Sequence, residues 1–410
     1  MRPMMLRASL ALVLSAWLAA PAQAKEWVTS WAAAPSPAMN APPPFPQALA
    51  VENQTVQQVL RLSAGGSRLR VRLTNEYGGK PLAIGAASIA LRRADGSVDE
   101  ASRRELRFGG SSAAVIPRGA PLLSDAVELP VADRADVVLA VYFPEATGPC
   151  TCHPVALQEG LVSEPGNYAR SGVARGTPLT QRAWVSAVEV EVARGATLVV
   201  LGDSISDGVG STSGANRRWP DLLAERLLAR RGGVRVGIAN QGISGNRVLV
   251  DGAGRSALAR LDRDALAVTG ARWLIVFEGV NDLGTAHGAS MRAPSEAFPA
   301  STATAESMIA GYRQIIARAH ANGLKVYGAT IAPYKGASYW SEAGEQHRQA
   351  INRWIREGGE FDAVLDFDKV FADPADPARM AQAFHSGDSL HGSDAGYEAV
   401  ARSIDLKLFR

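Results

Sequence analysis

Thr197-Leu198-Val199-Val200-Leu201-Gly202-Asp203-Ser204-Ile205-Ser206 is the stretch on which the architecture turns. Residues 197–201 form a short apolar run, the signature of a strand buried on both faces. Gly202 and Asp203 punctuate it. Ser204 therefore leaves a strand and enters a helix, with its hydroxyl at the edge of a sheet. Downstream the pattern repeats. Residues 219–230 carry Leu222, Leu223, Leu227 and Leu228 at helical spacing. Strands are predicted at 234–239, 273–277, 325–331 and 364–367, and helices around 303–321, 342–356 and 394–406. Short strands alternating with helices predict a parallel sheet covered on both faces, with active residues on loops at the carboxyl ends of the strands.

Upstream of residue 195 the period changes. Arg68-Leu69-Arg70-Val71-Arg72-Leu73 and Val188-Glu189-Val190-Glu191-Val192 alternate polar and apolar, as strands with one wet face do. Residues 137–143 are a continuous apolar run. Ala64-Gly65-Gly66-Ser67, Tyr77-Gly78-Gly79-Lys80 and Ala94-Asp95-Gly96-Ser97 read as turns. Strands without long helical stretches between them predict a β-sandwich or jelly-roll-like domain. Pro42-Pro43-Pro44 marks an early loop. The expected division is a signal peptide over 1–24, a β-rich domain over 25–195 and a catalytic α/β domain over 196–410.

Four loop motifs carry the chemistry. Gly202-Asp203-Ser204 offers a nucleophile, which is weak without a base. Gly242, in Asn240-Gln241-Gly242-Ile243-Ser244-Gly245-Asn246, offers a backbone N–H that can approach a reacting oxygen closely. Asn281, in Gly279-Val280-Asn281-Asp282, offers an amide donor. In Asp388-Ser389-Leu390-His391 a carboxylate three residues before a histidine can hold one ring nitrogen while the other faces Ser204. Together they describe acyl transfer. Ser204 attacks, His391 takes its proton and Asp388 orients the ring. Ser204 and Gly242 N–H groups and the Asn281 amide receive the oxyanion.

These residues resemble the SGNH hydrolases, also called the GDSL esterase/lipase family. The family's Ser, Gly, Asn and His are matched to Ser204, Gly242, Asn281 and His391, and its Asp-x-x-His element to Asp388 and His391. Ile205 stands where the family name has Leu. Ile243-Ser244-Gly245-Asn246-Arg247, Leu261-Asp262-Arg263-Asp264 and Glu278-Gly279-Val280-Asn281-Asp282 are similar to a secreted bacterial branch of aryl-esterases and acylhydrolases. That branch often carries an N-terminal β domain opening on Trp-x-x-Ser-Trp, as at Trp27-Val28-Thr29-Ser30-Trp31. The resemblance spans about residues 197–410. It implies a flavodoxin-like three-layer α/β/α fold and no cofactor. The chain does not resemble the α/β-hydrolases, which place a Gly two residues after the nucleophile and the acid far from the His.

Of the 410 residues 47% are hydrophobic, enough for two cores, and the net charge of +3 is scattered. This disfavours a nucleic-acid binder, which needs a concentrated basic face. Arg2 and Arg7, an apolar run over 10–20, then Ala22-Gln23-Ala24 have the order of a cleavable signal peptide, so the expected location is secreted or periplasmic. Residue 25 is Lys, not the Cys of a lipoprotein, and no later run has the length of a membrane span, so no stable membrane anchor is expected. Cys150 and Cys152 are open to two readings, a tight disulfide or two free thiols, and with His153 they make an unsuitable metal site. No metal is expected. The oligomeric state is not legible.

The leading reading is a serine esterase acting on a small-molecule or polysaccharide ester, with acetyl or other short acyl groups on carbohydrate or aryl esters. The Gly, Ser and Asn of the strand-end loops give little apolar lining for a long chain. A lysophospholipase or thioesterase is the alternative within the enzyme class. Residues 285–301, with Met291 and Phe298, are long enough to supply the apolar wall it would need. A glycan-binding protein with a relic hydrolase domain is the alternative outside it. Trp27, Trp31 and Trp184 fit a β core better than sugar stacking.

Overall fold

The computed structural model describes residues 25–38, 47–230, 232–288, 299 and 301–410. The expected signal peptide, the 42–44 loop and most of 285–301, with Met291 and Phe298, lie outside them.

The carboxyl-terminal half is a five-stranded, all-parallel sheet. Its spatial order is Arg235–Gly242, Gly195–Gly202, Ala271–Phe277, Lys325–Ala329 and Ala363–Leu365. In chain order this is 2-1-3-4-5, the flavodoxin-like arrangement. Leu198, Val199, Val200 and Leu201 are buried, as a strand covered by helices on both faces requires. Trp219–Ala229 and Asp394–Ser403 pack together on one side, and Ala305–Ala321 packs with Glu342–Glu357 on the other. The helix 303–321 begins at Ala305 because the Thr304 side chain and Ser307 cap each other's backbone N–H. The order reverses beside Gly195–Gly202, so the crevice at its carboxyl end, where Ser204 stands, is the switch point at which such sheets bind ligands.

The amino-terminal half is mostly antiparallel. One sheet runs Glu26–Ala32, Val185–Val192, Gly66–Thr74 and Val127–Val131, with Pro121–Leu123 beside Gly66–Thr74. The other is six-stranded, with Asp136–Phe143 between Gln54–Arg61 and Ala86–Arg92. Leu69, Val71, Leu73, Val137, Leu139 and Val188 fill the core between them. Trp184 is buried there against Phe143, with ring centroids 4.5 Å apart. Trp31 is half-buried and packs against that core, under Arg182, while Trp27 is half-buried under Arg70. Cys150 and Cys152 are joined as a disulfide.

One expectation fails. Val185–Val192 has no wet face, for every residue of it is buried. Glu189 accepts from Arg70 (2.6 Å) and Thr269 (2.7 Å), and Glu191 pairs with Lys25 and Arg68, so partners replace water on the charged face.

The two halves meet along a polar seam. Thr29 N–H donates to Thr197 Oγ1 (2.9 Å) and Ile238 N–H to Ser63 Oγ (2.9 Å). A Cβ on Gly237 would lie 2.3 Å from Thr29 O. The first strand of the sandwich therefore lies directly against the first two strands of the parallel sheet.

Candidate active site

Gly195–Gly202 ends where a Cβ on Gly202 would meet Ser206 Oγ at 2.4 Å and Phe277 O at 2.7 Å. Asp203 then caps the short helix Ser204–Asp207 by accepting from Ile205 N–H (2.9 Å), and Gly208, at φ 98°, closes it. That turn holds the Ser204 hydroxyl toward the loop ahead of the last helix. Ser204 Oγ lies 2.9 Å from His391 Nε2, and His391 Nδ1 lies 2.6 Å from Asp388 Oδ2. The other Asp388 oxygen accepts the N–H groups of Leu390 (3.0 Å) and His391 (2.9 Å). Ser389, between them, takes a left-handed φ of 60° that few residues other than glycine adopt. Burial opposes ionisation of Asp388, but the His391 ring and these N–H groups outweigh it and hold the carboxyl well below the usual range.

On the opposite side of Ser204 the structure separates two glycines that the sequence confuses. Gly242 ends the strand Arg235–Gly242, and its N–H already donates to Asn240 Oδ1 (3.1 Å). A Cβ there would lie 2.5 Å from Asp207 N, so Gly242 lets the strand pass the helix Ser204–Asp207. It is a packing glycine, and its N–H is not the free oxyanion donor expected. Gly245 sits in the following turn at φ 80°. Its N–H has no partner among the described residues. Ser244, on one side of it, is held by Asp207, while Asn246, on the other, accepts from Asn281 Nδ2 at 3.0 Å.

Asn281 is buried near the start of the helix Val280–His287. One amide hydrogen goes to Asn246 O, which leaves the second for a ligand. Tyr339 O–H donates to Asn281 Oδ1 (3.2 Å) and fixes which way the amide faces. Asp282 accepts from Val248 N–H (2.8 Å) and Leu249 N–H (3.1 Å), tying the segment after the Gly245 turn to the same helix.

Beneath the crevice lies a buried charged cluster. Arg260, fully enclosed, donates to Gly202 O (3.0 Å), Gln241 O (2.6 Å) and Asn246 Oδ1 (2.9 Å). It thus clamps the ends of both strands that frame Ser204. Glu278 lies 3.5 Å from it, with neither carboxyl oxygen hydrogen-bonded. Burial pushes Glu278 up to about 8 despite Arg260, and the neighbouring Asp203 and Asp282 push the same way. Burial likewise raises Asp203 to about 7 and Asp282 to about 6, against the N–H groups each accepts. Among the described residues no group of three or more His, Cys, Asp or Glu side chains is placed to hold a metal ion.

Against this geometry, the model of the GDSL-like Lipase/Acylhydrolase family matches residues 200–399. The chain carries a GDSL-like lipase/acylhydrolase domain. The acylhydrolase domain is also similar to solved structures. A lipase/acylhydrolase from Enterococcus faecalis is 18% identical over 52% of this chain and 94% of that one, with a TM-score of 0.39. An acetylxylan esterase from Geobacillus stearothermophilus is 20% identical over 51% and 92%, with a TM-score of 0.39. A GDSL-like lipase from Bacteroides thetaiotaomicron is 16% identical over 50% and 84%, with a TM-score of 0.38. No curated protein matches the chain.

Of the residues expected to act together, Ser204, His391 and Asp388 meet directly, and Asn281 faces the neighbouring turn. Sequence reasoning missed Gly245, Tyr339 and Arg260. Gly245 could have been found as the second glycine of its motif, the one after Ser244. Tyr339 and Arg260 carry no local signal, because each acts through a segment far away in the chain.

Proposed function

We propose that the protein is a serine esterase that hydrolyses carboxylic esters through an acyl-enzyme, and that it works outside the cytoplasm, in the secreted or periplasmic space. The observation that carries this reading is the continuous contact from Asp388 through His391 to Ser204, at 2.6 and 2.9 Å. Ser204 Oγ attacks the acyl carbon while His391 Nε2 takes its proton, and Asp388 stabilises the resulting imidazolium. The oxyanion is received by the N–H groups of Ser204 and Gly245 and by the second Asn281 amide hydrogen. Each such donor is worth ~3–4 kcal/mol of barrier. His391 returns the proton to the leaving alcohol, and water repeats the sequence on the acyl-enzyme.

Short acyl groups, acetyl above all, on carbohydrate or aryl alcohols fit the site best. The turn around Gly245 and the start of the Asn281 helix are rich in Gly, Ser and Asn. A long chain would gain ~0.8 kcal/mol per buried CH₂ only on an apolar wall. The test is a p-nitrophenyl ester series beside acetylated xylan, with Ser204→Ala as control. Acetate should be the best substrate, and the variant should lose nearly all activity and all labelling by an organophosphate. A steady rise of kcat/KM from acetate to decanoate would transfer the assignment to a lipid-directed acylhydrolase.

A further inference from the structure

The β-sandwich half reaches the turn around Gly245 through two buried side chains and a half-buried one. His153 belongs to the short strand Thr151–His153 and is only 5% exposed. Its Nδ1 lies 3.3 Å from Ala34 O, within its own half, and its Nε2 lies 2.9 Å from Asp207 Oδ1, across the seam. Asp207, 4% exposed, is the last residue of the helix that Ser204 begins. Its second oxygen, Oδ2, accepts both the hydroxyl (2.6 Å) and the N–H (3.1 Å) of Ser244. Ser244 is followed by Gly245. One carboxylate therefore ties the nucleophile's helix, the oxyanion turn and the amino-terminal half together.

A carboxylate anchored through one oxygen can aim the other, but a carboxylate without that anchor is free to rotate. The surroundings leave room for it to do so. A cavity of about 60 Å³, lined in part by Trp31, His153, Arg182, Asp207 and Arg218, opens beside the pair. Its lining is mixed, with Ala33, Leu62 and Ile238 beside these polar groups, and water can replace a lost partner at the polar end. Neither neighbouring cation substitutes for the imidazole. The Arg182 guanidinium donates to Val59 O and Ala156 O, and Arg218 donates to Asp207 only through the backbone carbonyl (3.1 Å).

We propose that His153 is a positioning residue for ester hydrolysis: through Asp207 it fixes Ser244, and with it the Gly245 N–H, relative to Ser204. The proposal rests on the esterase reading above. It gives the amino-terminal half a role in the chemical step. Because the oxyanion donors act in the transition state, loss of the tie falls on kcat more than on KM. Displacing a positioned group by about 1 Å costs on the order of 10²-fold.

The test compares wild type, His153→Leu, His153→Gln and Ser244→Ala on p-nitrophenyl acetate, with thermal unfolding measured on each. His153→Leu should lower kcat ~10- to 100-fold and leave KM within about threefold. His153→Gln, whose amide N–H can stand where Nε2 does, should recover kcat to within about threefold of wild type. Ser244→Ala, which keeps the backbone N–H, should lower kcat several-fold, and adding it to His153→Leu should cost little more, since both break one connection. A His153→Leu kcat within twofold of wild type overturns the proposal. So does an equal loss in the Leu and Gln variants that follows their unfolding temperatures. If His153→Leu does not fold, Ser244→Ala and His153→Gln decide alone, and an unchanged kcat in Ser244→Ala sinks the idea. Inactivity of the wild type toward every ester, with no labelling of Ser204, would remove the esterase reading itself. An active wild type with indifferent His153 variants removes only this role.

Discussion

The two sides of Ser204 are built in opposite ways. The side of Asp388 and His391 is local and partly exposed. Asp388 and His391 lie in one tetrapeptide, close their own turn with hydrogen bonds, and leave 47% of the Asp388 side chain exposed. The side of Gly245 and Asn281 is assembled from distant segments and rests on buried groups, Asp207, Asn246, Arg260 and Asn281 itself. Gly245 is held through Ser244 and Asp207, Asn281 through Asn246 and Tyr339, and both strand ends through Arg260. A local turn fails or works as a unit. A distributed cradle can degrade by degrees, so substitutions on the two sides should leave different kinetic traces.

The largest effect is expected on the base side. Ser204→Ala, His391→Ala and the double variant should lose activity to the same floor, on the order of 10⁶-fold below wild type, because nucleophile and base act together. A double variant clearly worse than either single would break the unit. On the oxyanion side, Asn281→Ala should lower kcat ~10²- to 10³-fold with a smaller change in KM. If the loss fell on KM alone, Asn281 would be a substrate contact. Tyr339→Phe, which frees the Asn281 amide to turn while keeping the ring, should lower kcat only several-fold. An effect as large as that of Asn281→Ala would place the phenol itself in contact with the reacting ester.

The smallest effect belongs to the buried floor and shows in stability. Glu278, raised to about 8, keeps in the folded state a proton that the unfolded chain releases near its ordinary value of about 4.3. Its contribution is complete below that value and is lost as pH rises through about 8. Glu278→Gln has no such titration. Relative to wild type, its unfolding free energy should improve by ~1–3 kcal/mol between pH 5 and pH 9. Denaturant titrations at the two pH values check this, and a pH-independent difference would show that Arg260 keeps Glu278 ionised.

The same contrast explains what could be read from the chain. The parallel sheet was legible because Thr197–Leu201, Trp273–Phe277 and their helices carry their periods locally. Asp388 and His391 were legible because three residues separate them. Gly242 and Gly245 look alike as donors in sequence because both belong to one motif, and only the Asn240 side chain and the approach of Asp207 tell them apart. The burial of Glu189 and Glu191 was hidden for a similar reason: alternation shows which face is polar, not whether that face meets water or arginine.

The seam between the halves limits how the chain can be cut and recombined. Thr197 Oγ1 and Ile238 N–H belong to the parallel sheet, but their partners Thr29 and Ser63 belong to the sandwich, and Gly237 has no room for a methyl group beneath Thr29. A recombinant fragment starting at Gly195 would meet solvent with a sheet surface shaped for another sheet. A chimera that keeps residues 195–410 and borrows a sandwich from elsewhere would need matching hydroxyls at two positions and a backbone that tolerates the same close approach. The smallest transferable unit is therefore the pair of halves, not residues 195–410 alone.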